Sequence, residues 1–297
     1  MELQVELMIF TIFMCLAAGT FAVQGLLSLL GRGDAVQMPA LIVSLVALIA
    51  GGIAAFMHLQ HWDRIFGGFG HLTSGITQEF IAIAVFVVAL VVYFVVLRRF
   101  DTVPKWAGAM ALVIGVVLVI IMALSYNMPS RPAWNTPLLW LYYLCNAAFL
   151  GALTVACIEG IRGSTSEDAG GLTSKASWIT GIICTVVVIG YAIFLSTAAG
   201  SFASVGSFHD YTNPAREIID VQSSLSGILS GDLALLFWLG VVVVGLAVPI
   251  VLAFFAGKKK GTTLTACAGI GLVCALIGAG CFRVILYALG YNVFMLF

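Results

Sequence analysis

Apolar residues run in eight long blocks along this chain, and polar residues gather in the gaps between them. The blocks cover roughly 6–30, 37–59, 78–98, 106–126, 137–160, 177–198, 232–256 and 263–288. Each is close to the ~20 residues that an α-helix needs to cross the hydrocarbon core of a bilayer. The gaps carry turn chemistry or charge. They are Gly31-Arg32-Gly33-Asp34, a histidine-bearing segment, Arg98-Arg99-Phe100-Asp101, Asn127-Met128-Pro129, Arg162 to Ser174, Gly200 to Gly231, and Gly257-Lys258-Lys259-Lys260. The pattern predicts an all-α membrane protein: a bundle of eight transmembrane helices forming a single integral-membrane domain over 1–297. The longest connection, 200–231, contains His209, Asp210, Pro214, Arg216, Glu217 and Asp220. It is expected to be a long extracytoplasmic loop over the bundle. Pro249 falls within the seventh block and is expected to kink it.

Composition supports this reading. The chain is 62% hydrophobic and 9% charged, whereas a soluble domain has roughly 45–50% apolar and about 25% charged residues. With so few polar side chains it could not cover a surface exposed to water. The formal net charge is zero, which gives no case for nucleic acid as a partner. Residues 1–6 carry Glu2 and Glu6 and no basic residue, so the first helix is expected to serve as its own insertion signal.

Lys and Arg in the loops set the expected orientation. With the N-terminus outside, nine fall in inside loops: Arg32, Arg98, Arg99, Lys105, Arg162, Lys175, Lys258, Lys259 and Lys260. Three fall outside: Arg64, Arg131 and Arg216. Both termini and the histidine segment are therefore expected to be extracytoplasmic.

That orientation gathers ionisable groups at one depth. His58, His61 and His71 are three of the four histidines. His58 ends the second block, Glu79 opens the third, Tyr126 and Asn127 close the fourth, Asp232 opens the seventh, and Arg283 and Tyr287 lie near the end of the eighth. Polar groups near hydrocarbon are costly, so such a concentration points to the handling of protons, ions or electrons. Each residue also has a structural reading. His58 and His61 can be solvated interfacial histidines, and His71 a loop residue. Glu79 can be an acid at a helix N-terminus, and Trp134 and Tyr287 can be belt aromatics. Arg283 resists such a reading. A cation within an apolar helix costs roughly 2.5–3.5 kcal/mol, and it is expected to pair with Glu79 or Asp232 or with a ligand oxygen. At the opposite face, Glu159 and Arg162 have the spacing of a helix-end ion pair.

Other chemistry is not supported. Cys15, Cys145, Cys157, Cys184, Cys267, Cys274 and Cys281 all sit in apolar blocks without a Cys-x-x-Cys pair. Iron–sulfur clusters need grouped thiolates, so none is expected in this chain. Cys267, Cys274 and Cys281, with Gly271, Gly278 and Gly280, form a small-residue stripe suited to helix packing. Bis-histidine haem needs histidines facing each other from different helices, which four histidines so placed do not supply. No metal site is expected.

Taken in order, several elements resemble those of the membrane-anchor subunit of the bacterial dimethyl sulfoxide reductase family. They are Leu7-Met8-Ile9-Phe10-Thr11, Met57-His58-Leu59, Gln78-Glu79-Phe80, Tyr126-Asn127 followed by Pro132, Trp134 and Thr136-Pro137, and Arg283 with Tyr287. The resemblance runs the full length and is thin between these motifs. It implies eight helices with both ends outside and no haem. The implied activity is oxidation of menaquinol, with electrons passed to a four-cluster iron–sulfur subunit and on to a molybdopterin catalytic subunit, in the cytoplasmic membrane of a bacterium. The family's functional histidine and glutamate carry over onto His58 and Glu79. This chain departs in Gln60, where the family has Gly, in the extra His61 and His71, and in 200–231.

The chemistry is consistent with that implication. Quinol oxidation removes two protons and two electrons. A histidine with a pKa near 6.5 can take a hydroxyl proton, and a carboxylate at the aqueous rim can pass it to water. The expected site is His58 and Glu79 as the proton-transfer pair, with Arg283, Tyr126 and Tyr287 beside the quinol. His61, Arg64, Asn127 and Asp232 are expected around them. The competing readings are an anchor of a polysulfide- or nitrite-reductase-type complex, a haem-b anchor, and a haem-free transporter. A transporter is expected to show internal repeats and broken helices.

Overall fold

Helices that are apolar on every side are stable only when buried or in lipid, and eight in this chain are long and apolar enough to cross a membrane. The computed structural model describes residues 4–59, 71–131, 133–162, 169–198, 207–208, 219–257 and 259–290. The helices are α1 (Val5–Leu29), α2 (Gln37–His58), α3 (Gly75–Arg99), α4 (Lys105–Ser125), α5 (Pro137–Arg162), α6 (Ala169–Ala198), a short α7 (Val221–Ser230), α8 (Val248–Ala256) and α9 (Gly261–Ala288). A π-helical stretch, Leu236–Ala247, runs straight into α8, and the two together make the seventh span. Pro249 stands at the start of the α-helical part, so the break expected there is a change of helix type. A two-residue antiparallel ladder pairs Ser207–Phe208 with Ile219–Asp220. This ladder and α7 fall within the 200–231 connection.

The bundle is built around α1 and α5. Their apolar windows are 67% and 72% buried, against 33–44% for the other spans. α1 packs on α2, α4 and α5, and α5 packs on α6 and α9. The contacts are close because glycines meet backbone at the crossings. A methyl group on Gly19 of α1 would overlap the Ala147 carbonyl of α5, and one on Gly151 would overlap Gly19. Gly245 and Gly278 bring the seventh span and α9 together in the same way. Part of the small-residue stripe on α9 is thus a packing surface, although a side chain at Gly280 would meet open space. Gly278→Val is expected to cost about 1–3 kcal/mol through overpacking, read as a lower melting temperature in detergent. Gly280→Val should leave that temperature unchanged.

Two helix starts differ from the sequence expectation. α6 begins at Ala169, inside the stretch read as a break. α3 begins at Gly75, which places Glu79 in the second turn. Glu79 is therefore not the terminal acid that a helix dipole would favour. At the opposite end, α1 closes with the Arg32 N–H donating to the Leu27 carbonyl (2.9 Å) and the Gly31 N–H to the Ser28 carbonyl (3.0 Å). That is a Schellman turn, and Gly31 supplies its left-handed residue at φ 65°.

Candidate functional site

α2, α4 and α9 finish, and α3 begins, at one end of the bundle, and these helix ends carry most of the chemistry. His58 is the last residue of α2, and Leu59 is already extended. The helix does not continue towards His61. His61 and Arg64 lie outside the described residues. His58 is half-buried and makes no hydrogen bond to another described residue. His71 is exposed.

Glu79 is tied to α4. The Ser125 hydroxyl is hydrogen-bonded to Glu79 Oε1 and also donates towards the Met122 carbonyl at 2.8 Å. The next residue, Tyr126, is buried and shares a 3.1 Å hydrogen bond with the hydroxyl of Tyr287 on α9. Burial holds the Tyr126 phenol well above its ordinary range, with Tyr287, Tyr143 and Glu79 adding to the effect. Tyr126 therefore stays a neutral hydroxyl at physiological pH, able to relay a hydrogen bond but not to lose its proton. The carboxylate, the serine and the two tyrosines link α3, α4 and α9 at one end of the bundle.

Around Tyr126 the aromatic rings form a continuous group. It stacks on Tyr143 at 5.9 Å and meets Trp134 at 5.6 Å and Tyr287 at 6.4 Å. Trp134 is not a belt residue. It is buried, its indole N–H donates to the Leu286 carbonyl at 2.8 Å, and the Arg131 guanidinium covers its ring at 4.3 Å. Arg131 in turn donates to the Gly290 carbonyl at 3.2 Å. The α4–α5 connection is thereby fastened to the end of α9. Asn127 is half-buried, and among the described residues its side-chain oxygen has no hydrogen-bond partner. Asp232 is exposed.

Arg283 corrects the sequence expectation. It is fully buried, and among the described residues it pairs with neither Glu79 nor Asp232. Its Nε donates to Thr11 Oγ1 at 2.8 Å, and its Nη1 donates to the Tyr142 hydroxyl at 2.8 Å and the Ala279 carbonyl at 3.2 Å. Nη2 reaches the Thr11 carbonyl and Cys15 Sγ, both at 3.4 Å, and Asn146 Oδ1 lies 3.5 and 3.4 Å from Nη1 and Nη2. The guanidinium carbon also stands 5.1 Å from the Tyr143 ring centre and 5.6 Å from that of Tyr142. All three nitrogens are engaged by neutral groups, which disperse the charge as fixed dipoles and ring faces would. Thr11, Cys15, Tyr142, Tyr143 and Asn146 were missed in the sequence reading. The available signal was polar residues at i and i+4 within apolar helices, Thr11 with Cys15 and Tyr142 with Asn146. At the opposite end, Glu159 is buried and hydrogen-bonded by Thr173, while Arg162 is exposed. The helix-end pair expected there is not formed.

Comparison with known proteins adds the last observation. No curated protein matches the chain. The profile of the DMSO reductase anchor subunit (DmsC) family matches residues 1–208, which take in α1 to α6, with His58, Glu79, Tyr126 and the Tyr142–Asn146 pair. The match ends before the seventh span and α9. A match over this share of the chain, on a framework of eight membrane-length helices, is sufficient: the chain belongs to the DMSO reductase anchor subunit (DmsC) family.

Proposed function

We propose that this protein anchors a DMSO-reductase-type complex in the cytoplasmic membrane of a bacterium and oxidises menaquinol at the His58 end of the bundle. The observation that carries the proposal is the link from Glu79 through Ser125 to the Tyr126–Tyr287 pair. It fixes a carboxylate and a neutral hydroxyl pair at the end of the bundle where α2 also finishes, at His58. In this reading one quinol hydroxyl gives its proton to His58. Glu79, at the rim, passes protons to water. The quinol becomes a quinone as two protons leave to the aqueous side and two electrons leave to a partner.

The partner is an iron–sulfur subunit carrying four clusters, which feeds a molybdopterin catalytic subunit. Family membership supports catalytic and iron–sulfur partners. The excess of Lys and Arg at the opposite end supports placing the quinol site and both partners on the extracytoplasmic face. Arg283 acts here through its field and its bracing of three helices, because its donors are spent on protein groups.

The test uses the complex purified from membranes. Menaquinol should reduce the partner's iron–sulfur clusters, followed by their spectra. A non-oxidisable menaquinol analogue should compete and saturably quench tryptophan emission, since Trp134 stands against Tyr126 and Tyr287. Clusters that menaquinol leaves oxidised, with no saturable quenching, would overturn the reading.

A further inference from the structure

A groove runs along the flank of the bundle, apart from the residues of the proposed quinol chemistry. α1 and α5 form its floor, α4 and α6 form its walls, and it encloses about 230 Å³. α4 packs on α1 and α6 packs on α5, but α4 and α6 scarcely meet each other. The groove is deep because its inner lining is small. Gly19 of α1 brings α5 close, and Gly115 brings α4 onto the α1 backbone at Ala18. Ala148 and Ala176 leave the space above that floor open. The rim is bulky: Leu26, Leu30 and Val116 line the same groove and are exposed. Among the described residues, the polar side chains that line it are Thr173 and Thr180. Their hydroxyls already bond to Glu159 and to the Ala176 carbonyl, so the groove suits an apolar occupant.

Small residues in membrane helices ordinarily let another helix approach. Ala148 and Ala176 instead face the groove and stay half-buried. An apolar cavity of this kind stays dry, and its walls lose dispersion contacts if nothing fills it. In a membrane the fluid at hand is hydrocarbon. Along α1 the groove runs from Ala18 to Leu30, which is about 18 Å of helix at 1.5 Å per residue. That is close to one leaflet's share, roughly half, of the ~30 Å hydrocarbon core. Leu30 stands at the α1–α2 turn, and the exposed Trp106 at the start of α4 marks the interface at the same end.

The groove is basic at that end. Arg32 follows Leu30 by two residues, and its backbone N–H is fixed on the Leu27 carbonyl at 2.9 Å. Lys175 is exposed between the lining residues Thr173 and Ala176, and Arg162 is exposed at the end of α5. Among the described residues no carboxylate pairs with any of the three. Arg98, Arg99 and Lys105 are exposed at the same end, against Asp34 and Asp101. A quinol head group is neutral and gains nothing from such cations, whereas an anionic lipid head group does. We infer that the groove holds one acyl chain of an anionic phospholipid, drawn from the leaflet at the α1–α2 turn, with its phosphate beside Arg32 and Lys175. The chain of the lipid closes the seam that α4 and α6 leave open.

The full chain, purified from membranes and returned to bilayers, tests this with phosphatidylglycerol that carries a photoactivatable diazirine in one acyl chain. A phosphatidylcholine with the same chains and a menaquinone with the diazirine in its isoprenoid tail are the comparisons, and labelled peptides are mapped by mass analysis. Phosphatidylglycerol should label 18–30, 144–152 and 172–180 about fivefold or more above phosphatidylcholine, the scale of a single Lys or Arg beside an anionic head group. Arg32→Gln combined with Lys175→Gln should bring the two lipids level. Ala148→Phe and Ala176→Phe each place a ring in the groove and should remove the labelling there, while labelling at the exposed Val88 and Val91 of α3 stays as in the wild type. Equal labelling by the two lipids in the wild type, or stronger labelling by the menaquinone tail, would overturn the inference. So would groove labelling that persists in phenylalanine variants melting like the wild type.

Discussion

Glu79→Gln is expected to cut menaquinol-dependent turnover by about 10²–10⁴-fold, the usual contribution of a positioned acid–base group. Glutamine has nearly the same shape and its side-chain oxygen can still accept the Ser125 hydroxyl. The link between α3 and α4 should therefore persist, and the complex should assemble. What is lost is the ability to carry a proton from the site to water. His58→Gln should cause a loss of the same order, because an amide can hold the quinol hydroxyl but cannot take its proton. In both variants, reduction of the catalytic subunit by a donor that bypasses quinol should remain at the wild-type rate. Menaquinol-dependent turnover within a few-fold of wild type in Glu79→Gln would remove Glu79 from the proton route.

The spans were legible because nothing but a membrane helix accounts for apolar blocks of this length, and all eight are present. Helix starts were harder to place. Gly75 and Thr77 look like loop residues, yet α3 has already begun at Gly75. An acid there reads as a terminal cap until the helix start is known. The partners of Arg283 were out of reach for a different reason. Thr11 is 272 residues away, Tyr142 is 141 and Asn146 is 137. Only the packing of α9 against both α5 and α1 brings them together. A scarcity of charge in the chain suggested a carboxylate partner, but neutral oxygens and ring faces can solvate a guanidinium when several converge. Trp134 was misread because a tryptophan near a span end resembles a belt residue until the connection is seen to fold inward.

Arg283 decides a second large effect, and the two obvious replacements are expected to rank against simple conservatism. Arg283→Met removes a buried charge, which returns roughly 2.5–3.5 kcal/mol of insertion cost. It also takes the Arg283 hydrogen bonds from the Tyr142 and Asn146 side chains, at about 1–3 kcal/mol for each group left unsatisfied, and one of the two bonds of the Thr11 hydroxyl, which still donates to the Met8 carbonyl. At mid-range these losses exceed the gain, so the Met variant should melt lower than wild type. Arg283→Lys keeps the charge but has one nitrogen where arginine has three. It cannot meet Thr11 on α1 and Tyr142 and Asn146 on α5 together, and an ammonium is more strongly hydrated than a guanidinium. The expected order of melting temperature in detergent is Arg, then Met, then Lys. A Lys variant as stable as wild type would mean that charge alone, not the planar fork, braces α1, α5 and α9. Because Arg283 and Glu79 share no contact, the stability effects of Arg283→Met and Glu79→Gln should add to within about 0.5 kcal/mol. A larger coupling would restore the ion pair that charge scarcity first suggested.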